Sequence, residues 1–475
     1  MEKLVKDLKD FIRFKTLTSE SDAAFAIRVG KILKRGGFKV IYQKIHQKGI
    51  LFVNVIGIKG GVGAHGKKVG ARHASPLLLC SHLDTVPPGD LKRWTKTGGD
   101  PWKPGVRAGR IYGLGAADDK GPLAAMLHAG LSFPETKLRR PLVVMGTFGE
   151  ESGMGGARTF VRHWRGPKPL AVIAGEPTNL EITYRHKGIG VIVIELFSKN
   201  KMALPTHEKK VKRFKGKQGH SSRPWLGDNA LDKAVIFLRS LARANKNTVI
   251  FDLSGGHAAN IIPGSAELCF AGTSERKTER GPFEKKRSFV FPAAAFLDCH
   301  DAVQAYIKRM ASVQDKTFYP SVVTSNFGIA VVNKNMLSLT FDFRLLPGIK
   351  PETIFSYLKR ELKKRLSRYR TLDFRLWIER DNPALDARTK DALPRFGRRL
   401  LRLSGLPEVL SVKPACTEAG IYHAWGVPAV IFGPGESAGN IHAPNESVSV
   451  AQLGKAVQFY KTAIEEICVK EALCF

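Results

Sequence analysis

PLLLCSHLD, residues 76–84, is the stretch whose reading decides the fold. Leu77–Cys80 is a short unbroken apolar run, behind a proline and too brief for a helix. That is the signature of a strand buried on both faces, as in a parallel sheet covered by helices. The run ends in His82 and Asp84, which share one face because they are two apart on a strand. Three further runs repeat the pattern. LVVMGTFGEE (142–151) ends in Glu150 and Glu151, LAVIAGE (170–176) in Glu176, and AVIFGPGESAGNIHAPNE (429–446) in a loop that carries His442. Ligands of open α/β sheets sit outside the carboxyl ends of the strands, so these four ends converge on one crevice.

A fifth donor, Asp118, lies in YGLGAADDKGP (112–122), a glycine-bearing loop before a helix whose first turn holds Pro122. Each signal alone is weak. A lone His-x-Asp is as readily a hydrogen-bonded strand end, Glu150–Glu151 a solvated pair, and Asp118 or Asp119 a helix cap. Their shared placement at strand-to-loop junctions gives them meaning. His82, Asp118, Glu151, Glu176 and His442 form a ligand set of nitrogen and oxygen only. Such a set suits zinc, accommodates cobalt or manganese, and disfavours copper or iron–sulfur. Five protein donors exceed the need of one catalytic zinc, which keeps an open position. Two divalent ions about 3.5–4 Å apart, bridged by a carboxylate and a water, are the economical expectation.

Working outward, the chain to about residue 180 alternates helices (VKDLKDFIRFK, DAAFAIRVGKILKRG, GPLAAMLHAGLSF) with strands such as LFVNVIGIK. Residues 181–381 read differently. RHKGIGVIVIELFSK, NIIPGSAELCF, LSLTFDFRLLPG and TLDFRLWIERD are strands, while NALDKAVIFLRSLARAN and PETIFSYLKRELKKRL are helices. From 382 to 475 the α/β texture returns, with too few strands for a sheet of its own. The expected architecture is therefore an α/β catalytic domain (1–180 and 382–475) with a central mixed sheet, interrupted by an inserted α+β domain (181–381).

A length of 475 residues fits two domains, and a hydrophobic fraction of 43% fits a soluble globular protein. The N-terminus lacks the apolar core of a signal peptide, and no run is long enough to span a bilayer, so a cytoplasmic protein is expected. Six scattered cysteines without a CxxC pair point to reduced thiols. Lys and Arg outnumber Asp and Glu by 76 to 42, a net charge of +34, with concentrations in KKVKRFKGK (209–217) and ERKTERGPFEKKR (275–287). Neither segment has the aromatic interleaving or motif of a nucleic-acid binder. Nucleic acid or an anionic surface is thus not the expected main partner.

SHLDTVP, YGLGAADDKG, TFGEES, GEPT, RHKG, GKQGHSSRP, NIIP, FDFRLLPG and HAPNESV, in this order, resemble the motifs of metallopeptidase family twenty. That family includes acetylornithine deacetylase, succinyl-diaminopimelate desuccinylase, glutamate carboxypeptidases, aminoacylases and dipeptidases. The resemblance spans nearly the whole chain. It implies a dinuclear-zinc, aminopeptidase-like catalytic domain with an inserted lid or dimerisation domain. His82 and Glu176 would be terminal ligands of one ion, Glu151 and His442 of the other. Asp118 would bridge them across a cis peptide to Asp119. Asp84 would accept a hydrogen bond from the imidazole of His82, and Glu150 would be the general base. His220 in GKQGHSSRP would stabilise the oxyanion, while Asn260 in NIIP and Arg344 in FDFRLLPG would contact the substrate, Arg344 through its carboxylate.

The chain departs from the family pattern in its lid. An extra basic stretch, KMALPTHEKKVKRF (201–214), and a further segment at about 272–320 enlarge it to about 200 residues. Family dipeptidases with enlarged lids resemble a dimer within one chain, so a homodimer through the lid and a monomer both stay open. The leading expectation is hydrolysis of an N-acyl amino acid or small peptide with a free carboxylate. The alternatives are a dipeptidase or carboxypeptidase of the same family and, from another class, an inactive binding protein on this fold.

Overall fold

In the computed structural model, Leu77–His82 is a central strand of a nine-stranded mixed sheet. The residues described are 1–60, 74–199, 201–203, 209–272 and 287–472. The basic residues 275–286, residues 204–208 of the lid stretch and Cys474 lie outside them. Leu142–Thr147, Leu77–His82, Ala171–Ala174 and Ala429–Ile431 are neighbours in that order and run parallel. All four are the apolar runs of the sequence, and every residue in them is buried. Ile50–Lys59 and then Lys39–Gln47 extend one side antiparallel. Ile182–His186 extends the other, with Leu385–Asp386 antiparallel and Leu410–Lys413 parallel to it.

Alternate residues of the central strands feed two cores. Leu77, Leu79, Val144 and Ile173 pack with helices Glu2–Ile12, Ala23–Arg35, Lys120–Leu131, Ala392–Leu403 and Val450–Ile464. Leu78, Cys80, Val143, Met145 and Val172 face the other way, toward Gly155–His163 and Ala419–Ala424. Lys120–Leu131 is apolar nearly all round, as a helix must be when the sheet lies on one side and other helices on the rest. Truncating a fully buried leucine here, such as Leu79, costs about 2–5 kcal/mol.

The chain divides into two units, Met1–His186 with Leu385–Phe475, and Lys187–Ala384. The first keeps Ile182–His186, beyond the expected boundary at 180, because that strand bonds to Ala429–Ile431, Leu385–Asp386 and Leu410–Lys413. Within the second unit lies an eight-stranded antiparallel sheet. Its main path is Lys210–Lys215, Ser265–Gly272, Thr248–Gly255, Thr324–Asn333, Met336–Leu345, Gly188–Ser198 and Leu372–Asn382. Helices Ala230–Ala244, Ala293–Met310 and Pro351–Leu366 belong to the same unit. The basic run KVKRFK is its edge strand, paired with Ser265–Gly272 and largely exposed. Lysines along an edge deter pairing with another chain's strand, which gives this charge a structural reason. Among the described residues, no helix is long and apolar enough to cross a membrane, and Cys80, Cys269, Cys299 and Cys468 are free thiols.

Candidate metal centre

His82 is the last residue of its strand, and its buried imidazole is fixed at both nitrogens. Nδ1 meets the main-chain carbonyl of Asp84 at 2.9 Å, and Nε2 meets Asp118 Oδ1 at 3.0 Å. The expected partner of Nδ1 was the Asp84 carboxylate, which stands at 3.6 Å instead. That carboxylate accepts the main-chain N–H groups of Glu150 (3.0 Å) and Glu151 (3.2 Å). Asp84 therefore pins the turn that follows Leu142–Thr147, and its carbonyl orients the imidazole. Gly149 makes that turn in the left-handed region, with φ of 64°.

Asp118 stands between the two histidines. Oδ1 faces His82, while Oδ2 is 3.2 Å from His442 Nε2, which is itself 2.7 Å from Glu151 Oε1. Two groups of potential ligand atoms result, each within 4.8 Å: His82, Asp118 and Glu176, and Asp118, Glu151 and His442. A third group of this kind joins His82, Glu150 and Glu151. The Asp118–Asp119 peptide is cis, as the resemblance implies. Ser81 Oγ donates to Asp119 at 2.6 Å on Oδ2 and 2.9 Å on the carbonyl. Gly175 passes close by: a Cβ there would stand 2.7 Å from Asp119 Oδ2 and 3.1 Å from Ser81 Cβ, so only glycine lets the Glu176 loop lie against this pair.

Electrostatics and donor chemistry fit divalent cations. Burial drives the carboxyls of Asp119 and Glu150 well above their usual range, and neighbouring carboxylates add to it. Burial would lower the His82 imidazole, but its bond with Asp118 lifts it well above the usual value. Burial likewise opposes the charge on Asp118, yet His442 and His82 hold that carboxyl below its normal range. The pocket thus gathers buried acids that draw positive charge to themselves. Nitrogen and oxygen donors in two overlapping sets are what two hard or borderline cations require.

Two buried groups have no counterpart among the residues expected from sequence. Glu446 closes the HAPNE motif, and its carboxylate accepts the N–H groups of Gly115 (3.0 Å), Ala117 (2.8 Å) and Asp118 (3.0 Å). Lys413 donates to Glu176 Oε2 at 2.8 Å. The motif itself could have flagged Glu446. Lys413 carries no local signal.

His220, Asn260 and Arg344 belong to the second unit, and Ser221 links them there. The carbonyl of Asn260 accepts the Ser221 N–H at 3.0 Å. Ser221 Oγ receives Arg344 Nη2 at 2.8 Å and donates to Asp342 Oδ2 at 2.6 Å. Arg344 Nε also reaches Asp342, at 2.9 Å, so its guanidinium is buried and aligned by an acid two residues away. His220 Nδ1 lies 2.7 Å from Ser222 Oγ and 3.2 Å from the Ser222 main-chain nitrogen.

A model of peptidase family M20/M25/M40 matches residues 78–466, a span that includes every one of these residues. The chain belongs to that family. Acetylornithine deacetylase of Pasteurella multocida (strain Pm70) is 35% identical over 210 residues, 41% of this chain and 49% of that protein. The chain thus spans about half the length of this relative. Aminoacylhistidine dipeptidase of Vibrio alginolyticus superposes with a TM-score of 0.63 at 18% identity, covering 97% of this chain and 96% of that one. The YXEP protein of Bacillus subtilis, described as a dinuclear metal binding peptidase, superposes at 0.51 and 12% identity, covering 98% and 97%. At such identities the likeness shows the fold: an M20 mixed α/β architecture.

Proposed function

We propose that this chain is a metal-dependent hydrolase that cleaves the amide bond of an N-acyl amino acid bearing a free carboxylate. The observation that carries the reading is the sharing of Asp118 between two ligand groups, beside a buried Glu150. His82, Asp118 and Glu176 would hold one cation, and Asp118, Glu151 and His442 the second; zinc, cobalt and manganese all suit these donors. Bound there, the cations supply Lewis acidity, which polarises the scissile carbonyl and makes water nucleophilic at neutral pH. Glu150 takes the proton of the attacking water and passes it to the leaving amine. Its adjacency to Glu151 lets one carboxyl ligate while the other stays free for proton transfer. The imidazole of His220 stabilises the developing oxyanion, commonly the largest single term in acyl transfer. Arg344, held by Asp342, and Asn260 take the substrate carboxylate.

The deacylase reading draws support from the local match to acetylornithine deacetylases. A dipeptidase is the second reading, favoured by the DDKGP sequence and by the length of the second unit, Lys187–Ala384. A panel of acetylated and succinylated amino acids and dipeptides, assayed with added zinc, cobalt or manganese, separates them. Turnover of the acylated amino acids is expected, and turnover of dipeptides alone would overturn the deacylase reading. Glu150→Gln is expected to fold and to retain its metal while kcat falls by about 10²–10⁴. A fully active Glu150→Gln protein would remove Glu150 from proton transfer.

A further inference from the structure

One ammonium stands among the buried acids of the metal centre. Lys413 ends the strand Leu410–Lys413, which runs parallel to Ile182–His186. Its Nζ lies 2.8 Å from Glu176 Oε2, with only 14% of the Lys413 side chain and 9% of the Glu176 side chain exposed. Neighbouring Asp118, Asp119 and Glu150 are buried as well, so the pair sits where water screens poorly. A carboxylate reserved for a dication gains nothing from an ammonium already on it, and that ammonium repels the incoming ion. The other ligand group is built differently. There the partner of Glu151, at 2.7 Å, is His442, which is itself one of the proposed ligands. Lys413, by contrast, belongs to neither group of potential ligand atoms.

We propose that Lys413 makes the two metal positions unequal. It balances the buried charge of Glu176 in the metal-free protein and weakens the position of His82 and Glu176 relative to that of Glu151 and His442. The proposal rests on the dinuclear reading above. Its consequence is ordered loading: the Glu151–His442 position fills first, and the Lys413 side becomes the exchangeable one, sensitive to metal supply.

Zinc and cobalt titrations of the full chain at pH 8, read by calorimetry and by competition with a chelating dye, test this. The wild type is expected to bind two ions in separable steps. Lys413→Met should tighten the weaker step by about tenfold or more, a modest part of what a unit charge at ion-pair range exerts in a poorly screened site. The tighter step should hold, and Lys413→Arg should behave as the wild type. Lys413→Gln serves if the methionine variant does not fold. His442→Ala leaves the Lys413 side intact, so the step that survives in it should be the one that Lys413→Met tightens. The metal-free Lys413→Met protein should melt below the metal-free wild type, since Glu176 then lacks its counter-ion. Unchanged affinities in Lys413→Met and Lys413→Gln, or metal lost from them, would overturn the inference while leaving two bound ions in the wild type. A wild type that binds no metal would instead overturn the dinuclear reading itself.

Discussion

Glu446 shows how a single carboxylate can set the position of a proposed ligand whose group it never joins. Oε1 accepts the N–H groups of Ala117 and Asp118, and Oε2 accepts that of Gly115. Three main-chain donors in the loop GLGAAD thus converge on one side chain, and Asp118 is held where both histidines reach it. Burial and the charge of Asp118 push the Glu446 carboxyl up to about 7, against the pull of those N–H groups. Glu446→Gln keeps the shape but turns one acceptor oxygen into a donor that faces an N–H. Losing one such charge-assisted bond costs about 1.5–3 kcal/mol of stability. Faster amide exchange at Gly115, Ala117 and Asp118, with weakened metal binding, is the expected result; unchanged exchange at all three would show that the loop holds itself. The gathering of His82, Glu151, Glu176 and His442 was legible in the sequence because each is a donor type at or beyond the end of an apolar run, and that of Asp118 because it lies in a glycine-bearing loop before a helix. Lys413 was not legible. It meets Glu176 across 237 positions, a contact created by strand pairing with no trace in local pattern. Asp84 was half legible: its place beside His82 shows in the sequence, but the N–H groups that claim its carboxylate depend on how the Gly149 turn folds back.

Elements follow the same rule, since what buries itself announces itself. The four parallel strands read directly as apolar runs, whereas Lys39–Gln47 is mostly exposed and offers no such signature. Helix Ala293–Met310 falls in the segment that reads as an insertion between motifs, although Phe296, Cys299, Val303 and Tyr306 recur on one buried helical face. This helix is tied to Ala230–Ala244 by polar contacts. Arg239 pairs with Asp301 through both terminal guanidinium nitrogens, and His300 lies 3.7 Å from Asp301 and 3.9 Å from Asp232, at ion-pair range. Burial would raise the Asp301 carboxyl, but His300 and Arg239 hold it well below its usual range. Burial would lower His300, but Asp232 and Asp301 raise it. The two signs are opposite. A depressed carboxyl stabilises above its unfolded pKa of about 3.9 and loses that contribution as pH falls; a raised imidazole stabilises below about 6.5 and loses it as pH rises through the folded value. Asp301→Asn should therefore lower the urea midpoint most between about pH 4 and 6.5; the gap closes as pH falls below that window and narrows above it as His300 loses its proton, the Arg239 pair persisting. About a third of the Arg239 and Asp301 side chains is exposed, so added salt should shrink the effect. A gap that stays constant across pH would mean that Asp301 acts by packing alone.

At the scale of the whole molecule, the donors are distributed unevenly between the units. His82, Asp118, Glu151, Glu176 and His442 all come from the unit Met1–His186 with Leu385–Phe475, and so do Asp84, Glu150, Lys413 and Glu446. Among the described residues, the unit Lys187–Ala384 supplies none of the proposed ligands, but it holds His220, Asn260 and Arg344 around Ser221. Metal binding should therefore stabilise by linkage the structure that presents the donors. An ion at a hundred times its dissociation constant adds about 2.7 kcal/mol. Chelation should lower the thermal midpoint and raise amide exchange in the segments 82–84, 113–119, 149–151, 176–178 and 440–446. Met336–Leu345 and Gly188–Ser198 bond to each other along their length inside the second unit and depend on no donor of the centre. Their amides should keep their protection when the metal is removed. If protection were lost uniformly across both sheets, the cations would be supporting the whole chain rather than one centre, and the assignment of all five ligands to the first unit would no longer account for the effect of chelation.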